Sequence, residues 1–299
     1  MINEKQIYYL LTVAEEQNIT AAARKLYISQ PALSRLILDL EHNLDAELFV
    51  RDRGCLHLTQ AGEIYLNGCK DVLAVSRSVK KKISDLNNSQ SGTITLGVTS
   101  LTGEFLLPLI LDAFEQAFPH VELVLIEERM ITLRDMVKSG KADMAFVRKT
   151  DDPDLEYHLV LENPIYLQVP PFFKKDQASW KPGIQNSPIE PEMLSGQPLI
   201  LLKKRRGMRE AADRFLMQFR ITPGKIIETE NIHLAQNLVR LNRGFTFVPS
   251  IAVNPFYQND SSSFYCQIKD YPMNSSLYCC YRKNSYLTEA EQYLMNLFA

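Results

Sequence analysis

Gln30, Ser34 and Arg35 bring an amide, a hydroxyl and a guanidinium together near the start of one helical stretch. Near the N-terminus of a recognition helix, side chains of these kinds meet nucleobase edges and phosphates, whereas an arginine on an exposed helix face is otherwise simply solvated. The opposite side of the same stretch carries Leu33, Ile37, Leu40 and Leu44 at intervals of four, three and four, the spacing of one buried helical stripe. The polar side is therefore left free to face a ligand as large as a duplex.

A helix that reads DNA must be held at a fixed angle by a second helix, with small residues at their crossing and a sharp turn between them. Ahead of Gln30, Thr20 is expected to cap the first helix, Ala21, Ala22 and Ala23 allow close approach, and Leu26 anchors that helix in a core. Tyr27 and Ile28 form the turn. Ser29 is the expected N-cap of the reading helix, and Pro31 sits in its first turn, where a missing N–H costs nothing. Beyond it, Leu48-Phe49-Val50-Arg51-Asp52-Arg53 reads as a basic wing. The candidate DNA contacts are Thr20, Ala21, Ser29, Gln30, Pro31, Ser34, Arg35, Arg51 and Arg53.

Ala22-Ala23, Leu26, Ser29-Gln30-Pro31-Ala32-Leu33-Ser34, Ile37, Leu40-Glu41, Leu48-Phe49, Arg51 and Leu58-Thr59-Gln60-Ala61-Gly62 together resemble the LysR-type transcriptional regulators. The resemblance implies a winged helix-turn-helix, a long dimerising linker helix and a two-lobed, periplasmic-binding-protein-like (type II) sensor domain. Three positions depart from the family. Asp45 replaces the usual glycine after the reading helix, and aspartate tolerates left-handed backbone better than most residues. Leu36 and Leu38 stand where polar residues are common. Each suits packing or apolar contact with a thymine methyl; packing is expected for Leu38, and Leu36 is open.

Arg24, Lys25, Arg35, Arg51 and Arg53 are nearly balanced by Glu15, Glu16, Asp39, Glu41, Glu47 and Asp52, and the whole chain of 299 residues has a net charge of only −2. One copy would hold DNA weakly by charge alone, which favours a homodimer or homotetramer on the site. The amphipathic start, with Ile7, Leu10, Leu11 and Ala14 inward, lacks the apolar core of a signal peptide, and no stretch reaches membrane-span length. A cytoplasmic protein with no membrane partner is expected. Cys55, Cys69, Cys266, Cys279 and Cys280 show no zinc or redox spacing, and the five histidines are scattered. Neither metal, cofactor nor catalytic residue is expected. Some members of the resembled family sense peroxide through a cysteine pair, but the corresponding region here, Lys203 to Arg209, has no cysteine.

From Thr59 to about Leu86 no proline interrupts the chain, and Tyr65, Val72, Val75, Val79, Ile83 and Leu86 follow a helical seam expected to pair with a second subunit. After a polar break at Asn87–Gly92, strands alternate with helices. Strands are expected at Thr93–Val98, Val121–Glu127, Asp143–Val147, Pro198–Leu202, Lys225–Thr229 and Phe245–Pro249. Leu277–Tyr281 with the terminal helix Glu289–Phe298 resembles the elements that return to the first half in that family. This is an α/β fold with a largely parallel sheet behind an all-α winged helix-turn-helix. The expected boundaries are 1–58 for the DNA-binding domain, 59–88 for the linker helix, 93–162 with 269–299 for the first lobe, and 163–268 for the second.

Two lobes joined by two crossings leave a cleft at strand ends and helix N-termini, suited to a small molecule. Ser100, Leu101 and Thr102 form either an effector turn, as the resemblance implies, or an ordinary helix cap. Arg148 follows the third strand, and Lys203 and Arg205 open a basic run that is either an anion site or a solvated loop. Thr229, Thr246 and Phe247 are candidates in the second lobe. The expected partners are double-stranded DNA and a small anionic effector, with RNA polymerase a further candidate. A solute-binding transport protein or an α/β enzyme are the alternatives; neither explains the N-terminal module, and no G-x-G-x-x-G, Walker, G-x-S-x-G or H-E-x-x-H motif supports an enzyme.

Overall fold

The computed structural model describes residues 3–52, 55–86, 91–176, 181–204, 207–253 and 263–297. It comprises two compact units, Met1–Ser89 with Asn284–Thr288, and Gln90–Lys283 with Glu289–Ala299.

The first unit opens with helix α1 (Glu4–Glu16), started by a capping box in which Asn3 and Gln6 bond each other's backbone amides. Helix α2 (Ile19–Lys25) follows, and its cap is Asn18, whose Oδ1 accepts the Ala21 amide at 3.0 Å. Thr20 is therefore not the cap. The helix begins earlier because extended Asn18 already satisfies that amide. Tyr27, at φ 54°, makes the turn into α3 (Gln30–Leu44), where Ser29 Oγ accepts the Ala32 amide at 3.4 Å. Asp45 closes α3 in the left-handed conformation at φ 49°, as its side chain allows.

Strands β1 (Phe49–Asp52) and β2 (Cys55–Leu58) pair antiparallel as the wing. Helix α4 (Gln60–Leu86) then runs for 27 residues. Thr59 starts it, accepting the Gly62 amide on Oγ1 at 3.0 Å. Leu10, Val13, Ala22, Ala23, Leu33, Ile37, Leu56 and Leu66 form the core, with Leu36 and Leu40 packed at its edge. Leu44 does not extend the buried stripe. It is the last residue of α3 and is 41% exposed. Tyr65 also differs from expectation, packing against this core, whereas Val72, Val75, Val79 and Ile83 are exposed. Leu86 ends the helix, but its side chain lies outside the described residues.

The second unit runs β3 (Ser91–Val98), α5 (Ser100–Ala117), β4 (His120–Glu127), α6 (Met130–Lys138), β5 (Met144–Val147), β6 (Leu155–Leu161), β7 (Pro164–Val169), β8 (Gly183–Ile184), β9 (Pro198–Leu202), α7 (Gly207–Gln218), β10 (Lys225–Thr229), α8 (Ile232–Arg240), β11 (Thr246–Pro249), β12 (Phe264–Cys266), β13 (Met273–Asn274), β14 (Leu277–Arg282) and α9 (Glu289–Asn296). The first lobe is a sheet in the order β4-β3-β5-β14-β6, and the second contains β11-β7-β12-β8 with β13 on β7, and the parallel pair β10-β9. A bridge from Leu199 to Phe245 links β9 to the start of β11.

The two five-stranded sheets are mixed rather than largely parallel, whereas the β10-β9 pair is wholly parallel. Strand β14 runs antiparallel to β5 and β6, and β7 runs antiparallel to β11, β12 and β13. The return to the first sheet comes later than residue 269, since Met273 and Asn274 still pair with β7 and the chain joins β6 only from Leu277. The run Val169–Lys175, for which the sequence offers no physical account, turns out of β7 so that the Phe172 amide bonds Asn242 Oδ1 at 2.8 Å and Phe173 packs edge-on to Phe245. Asn242 takes φ 59°, and Gly244 leaves room for the Pro198 carbonyl, which a Cβ would approach to 2.3 Å.

Candidate DNA-reading face and effector cleft

On α3, Gln30 and Pro31 are exposed in the first turn, and Gln30 Nε2 donates to Ser34 Oγ at 2.8 Å. Arg35 keeps 85% of its side chain in solvent, 3.9 Å from Asp39. This exposed ion pair contributes little to stability, so the guanidinium is available for phosphate or base contact. Arg51 is exposed on β1, Thr20 is exposed on α2, and Ala21 is half-buried beside it. Arg53 lies outside the described residues. The two leucines that depart from the family separate: Leu36 packs against the core, but Leu38 is exposed, contrary to the expected packing.

The wing is held by a residue whose role the sequence does not disclose. Glu41, on α3, accepts the amides of Leu48 and Phe49 on Oε1 at 2.7 and 3.1 Å. Its charge therefore serves the chain's own backbone, not only the electrostatic balance. Gly62 is the second such point, since a Cβ there would stand 2.1 Å from the Leu48 carbonyl oxygen.

In the sensor unit, the turn before α5 is a cap. Thr99 Oγ1 accepts the Thr102 amide at 3.3 Å and lies 3.0 Å from the buried Thr102 hydroxyl, while Ser100 Oγ bonds Glu127. Leu101 packs with Phe105, Val248, Ala252 and Tyr265, a cluster that joins the two lobes. Thr229 Oγ1 accepts the Asn231 amide at 3.1 Å, and buried Thr246 donates to the Ile200 carbonyl at 2.7 Å. Phe247 packs on Phe215 in the core of the second lobe, with ring centroids 5.5 Å apart. These three already have structural work within lobe two.

The basic run is partly neutralised. Lys203 Nζ lies 3.2 Å from Glu230, and Arg209 is turned inward, 7% exposed, onto Asp213, Glu228 and the Leu202 carbonyl. Burial alone would lower the Arg209 guanidinium, but the two carboxylates outweigh it and hold its pKa above the ordinary value. Arg205 lies outside the described residues.

Arg148 stands apart from that run. It extends from the end of β5 to the first turn of α7, where its Nη2 lies 3.4 Å from Glu210 and so close to Gly207 that a Cβ there would be 2.1 Å away. Its Nε is buried without a hydrogen-bond partner among the described residues. A second contact between lobes pairs Glu104 on α5 with His233 on α8 at 2.8 Å, with Phe105 against the imidazole. Glu104 and His233 belong to different lobes of the chain, and no spacing rule joins them.

The two crossings between lobes are also stitched together. Asn163 Oδ1 accepts from Ser250 Oγ and the Ile251 amide, and Glu162 accepts from Asn274 and Ser276. Hydrogen bonds from Ser276 and Asn274 hold the exposed Glu162 carboxyl below its ordinary value. Among the described residues no group of three or more histidines, cysteines or acids has the arrangement of a metal site, and no helix is long and apolar enough to cross a membrane.

A winged helix-turn-helix joined to a two-lobed α/β domain defines a class of ligand-responsive DNA-binding regulators, and comparison with known proteins gives the family. Residues 5–63 match the bacterial regulatory helix-turn-helix protein, lysR family, and residues 87–299 match the LysR substrate binding domain. The chain belongs to the LysR family of DNA-binding transcriptional regulators.

It is 27% identical to the uncharacterized HTH-type transcriptional regulator YcgK of Bacillus subtilis, over 98% of this chain and 93% of that one. It is 26% identical to the DNA-binding transcriptional dual regulator OxyR of Escherichia coli, over 91% and 87%. A full-length OxyR variant from Pseudomonas aeruginosa shares the fold at a TM-score of 0.73 and 18% identity, covering 100% of this chain and 93% of that one.

Proposed function

We propose that DNA binding by this regulator responds to a small anionic effector held between the two lobes, beside Arg148 and the first turns of α5 and α7. The observation that carries this reading is the buried, unpartnered Nε of Arg148 at the lobe junction. A guanidinium presents Nε and Nη as a fork matched to a carboxylate or phosphate. Glu210 occupies only Nη2, at 3.4 Å, so an incoming anion would compete with it and satisfy the orphan donor as well. The basic run gives less support, because Lys203 and Arg209 already hold carboxylates.

A thermal-shift series with small carboxylates and phosphates tests the reading. A ligand at 100 times its dissociation constant adds about 2.7 kcal/mol to the wild-type sensor. That gain should vanish in Arg148→Ala. If acids and phosphates leave the wild type unshifted while neutral metabolites stabilise it, the anionic reading fails.

Assembly follows from α4. Ile64, Val72, Val75, Val79 and Ile83 form an exposed apolar stripe along its length, suited to the same helix of a second copy. Tyr65 is not part of it. Pairing through this stripe would present two reading helices to one site, which the near-neutral charge of a single copy requires. Val79→Asp should reduce the oligomer seen by light scattering; an unchanged mass would refute the assignment.

A further inference from the structure

We propose that Leu38 is a specificity-determining residue that reads the methyl group of a thymine in the operator. The proposal rests on the reading of α3 as the helix that enters the major groove. Leu38 is 63% exposed in the middle of that helix, whereas its apolar neighbours Leu33 and Ile37 are buried and Leu36 packs at the edge of the core. At about 100° per residue, Leu38 lies some 40° round the helix from Ser34 and about 20° from Pro31. It is therefore within the polar face, in line with the hydrogen-bonded pair Gln30–Ser34, and flanked on its other side by Arg35 and Asp39. A leucine at this place neither donates nor accepts a hydrogen bond. The only apolar group that a base presents in the major groove is the C5 methyl of thymine. Covering one methyl by an aliphatic side chain is worth roughly 0.8 kcal/mol, or about fourfold in affinity.

The test uses the full chain and a random duplex library. A site is selected with the wild type, and each thymine in it is then replaced singly by deoxyuridine, which deletes only the methyl. Affinities are measured at one fixed salt concentration. One thymine per half-site should weaken binding about fourfold when its methyl is removed. In Leu38→Ala, thymine and deoxyuridine at that position should bind equally. The variant should keep the wild-type melting temperature, because the position is exposed and alanine favours helix.

If every deoxyuridine is silent in the wild type, or if Leu38→Ala keeps the full discrimination, Leu38 does not read a methyl. A change in oligomer mass with unchanged base preference would place Leu38 at a subunit contact, and would overturn the proposal too. A wild type that selects no site would instead overturn the underlying reading of α3, which is a separate result.

Discussion

Asn163 and Ser275 bond each other across the two segments that join the sensor lobes. The Ser275 amide donates to the Asn163 carbonyl at 2.9 Å, and Asn163 Nδ2 donates to the Ser275 carbonyl at 3.3 Å. The pair makes the crossings one hinge rather than two loose strands. Because Asn163 Oδ1 also holds Ser250 and Ile251, Asn163→Ala strands several polar groups. It should cost about 1–3 kcal/mol in a urea titration. A loss below about 0.3 kcal/mol would show that the hinge holds without it.

Glu41→Ala removes a charged acceptor from two wing amides, and should destabilise the DNA-binding unit by about 1.5–3 kcal/mol. Chemical denaturation of the full chain, followed by hydrogen exchange at Leu48 and Phe49, would report it. Unchanged protection of both amides would mean that water replaces the carboxylate.

Gly62→Ala places a methyl 2.1 Å from a backbone oxygen, which no side-chain rotation relieves. Overpacking of this kind costs about 1–3 kcal/mol. Gly68, in the same helix with nothing within 4 Å of its would-be Cβ, is the control. Gly68→Ala should stabilise by up to about 1 kcal/mol, so thermal shifts of opposite sign are expected in the two variants.

Lys138 Nζ and Asp152 lie 3.0 Å apart. Burial by itself pushes the Asp152 carboxyl up, but hydrogen bonds from Lys138 and the Asp154 amide outweigh it and hold the group below its ordinary value. The hydrogen bond to Asp152 raises Lys138. A depressed carboxylate stabilises the fold above its ordinary range and loses that contribution as pH falls through the lowered value. A raised lysine contributes below its ordinary range and loses its share as pH rises through the raised value. Asp152→Asn should therefore differ most from wild type between about pH 5 and 9, and converge with it towards about pH 2. A stability gap independent of pH would refute the pairing.

Burial pushes the Cys266 and Cys280 thiols up to about 12, and raises Cys69 and Cys279 as well. Thiolate is the reactive form, so these four should resist iodoacetamide at about pH 8 in the folded protein. Cys55 is exposed on β2. A single alkylation, abolished by Cys55→Ser, is the expected mass-spectrometric result; modification of Cys279 or Cys280 before unfolding would contradict the packing.

What is legible in the sequence is the part written in local rules. Ser29, Pro31 and the spacing of Leu33 and Ile37 carry a helix start and a buried stripe within one element, and Asp45 carries its own left-handed stop. Short-range chemistry also locates the αβ alternation, because capping and periodicity act over a few residues. The antiparallel strands β6, β7, β12 and β13 are not legible in this way. Their pairing is decided by partners far away in the chain, such as Leu167 with Phe247 and Cys266.

The candidate sites divide on the same line. The sequence by itself determined which side of α3 is polar, that α4 carries an apolar stripe, and that Arg148 follows a strand. Only the tertiary structure decided that Tyr65 and Phe247 serve cores, that Arg209 is turned onto two carboxylates, and that Leu38 stays in solvent among the polar residues of α3. The physical reason is common to all four. Whether a side chain packs, pairs or remains free depends on which distant element fills the space beside it, and residue type leaves each outcome open.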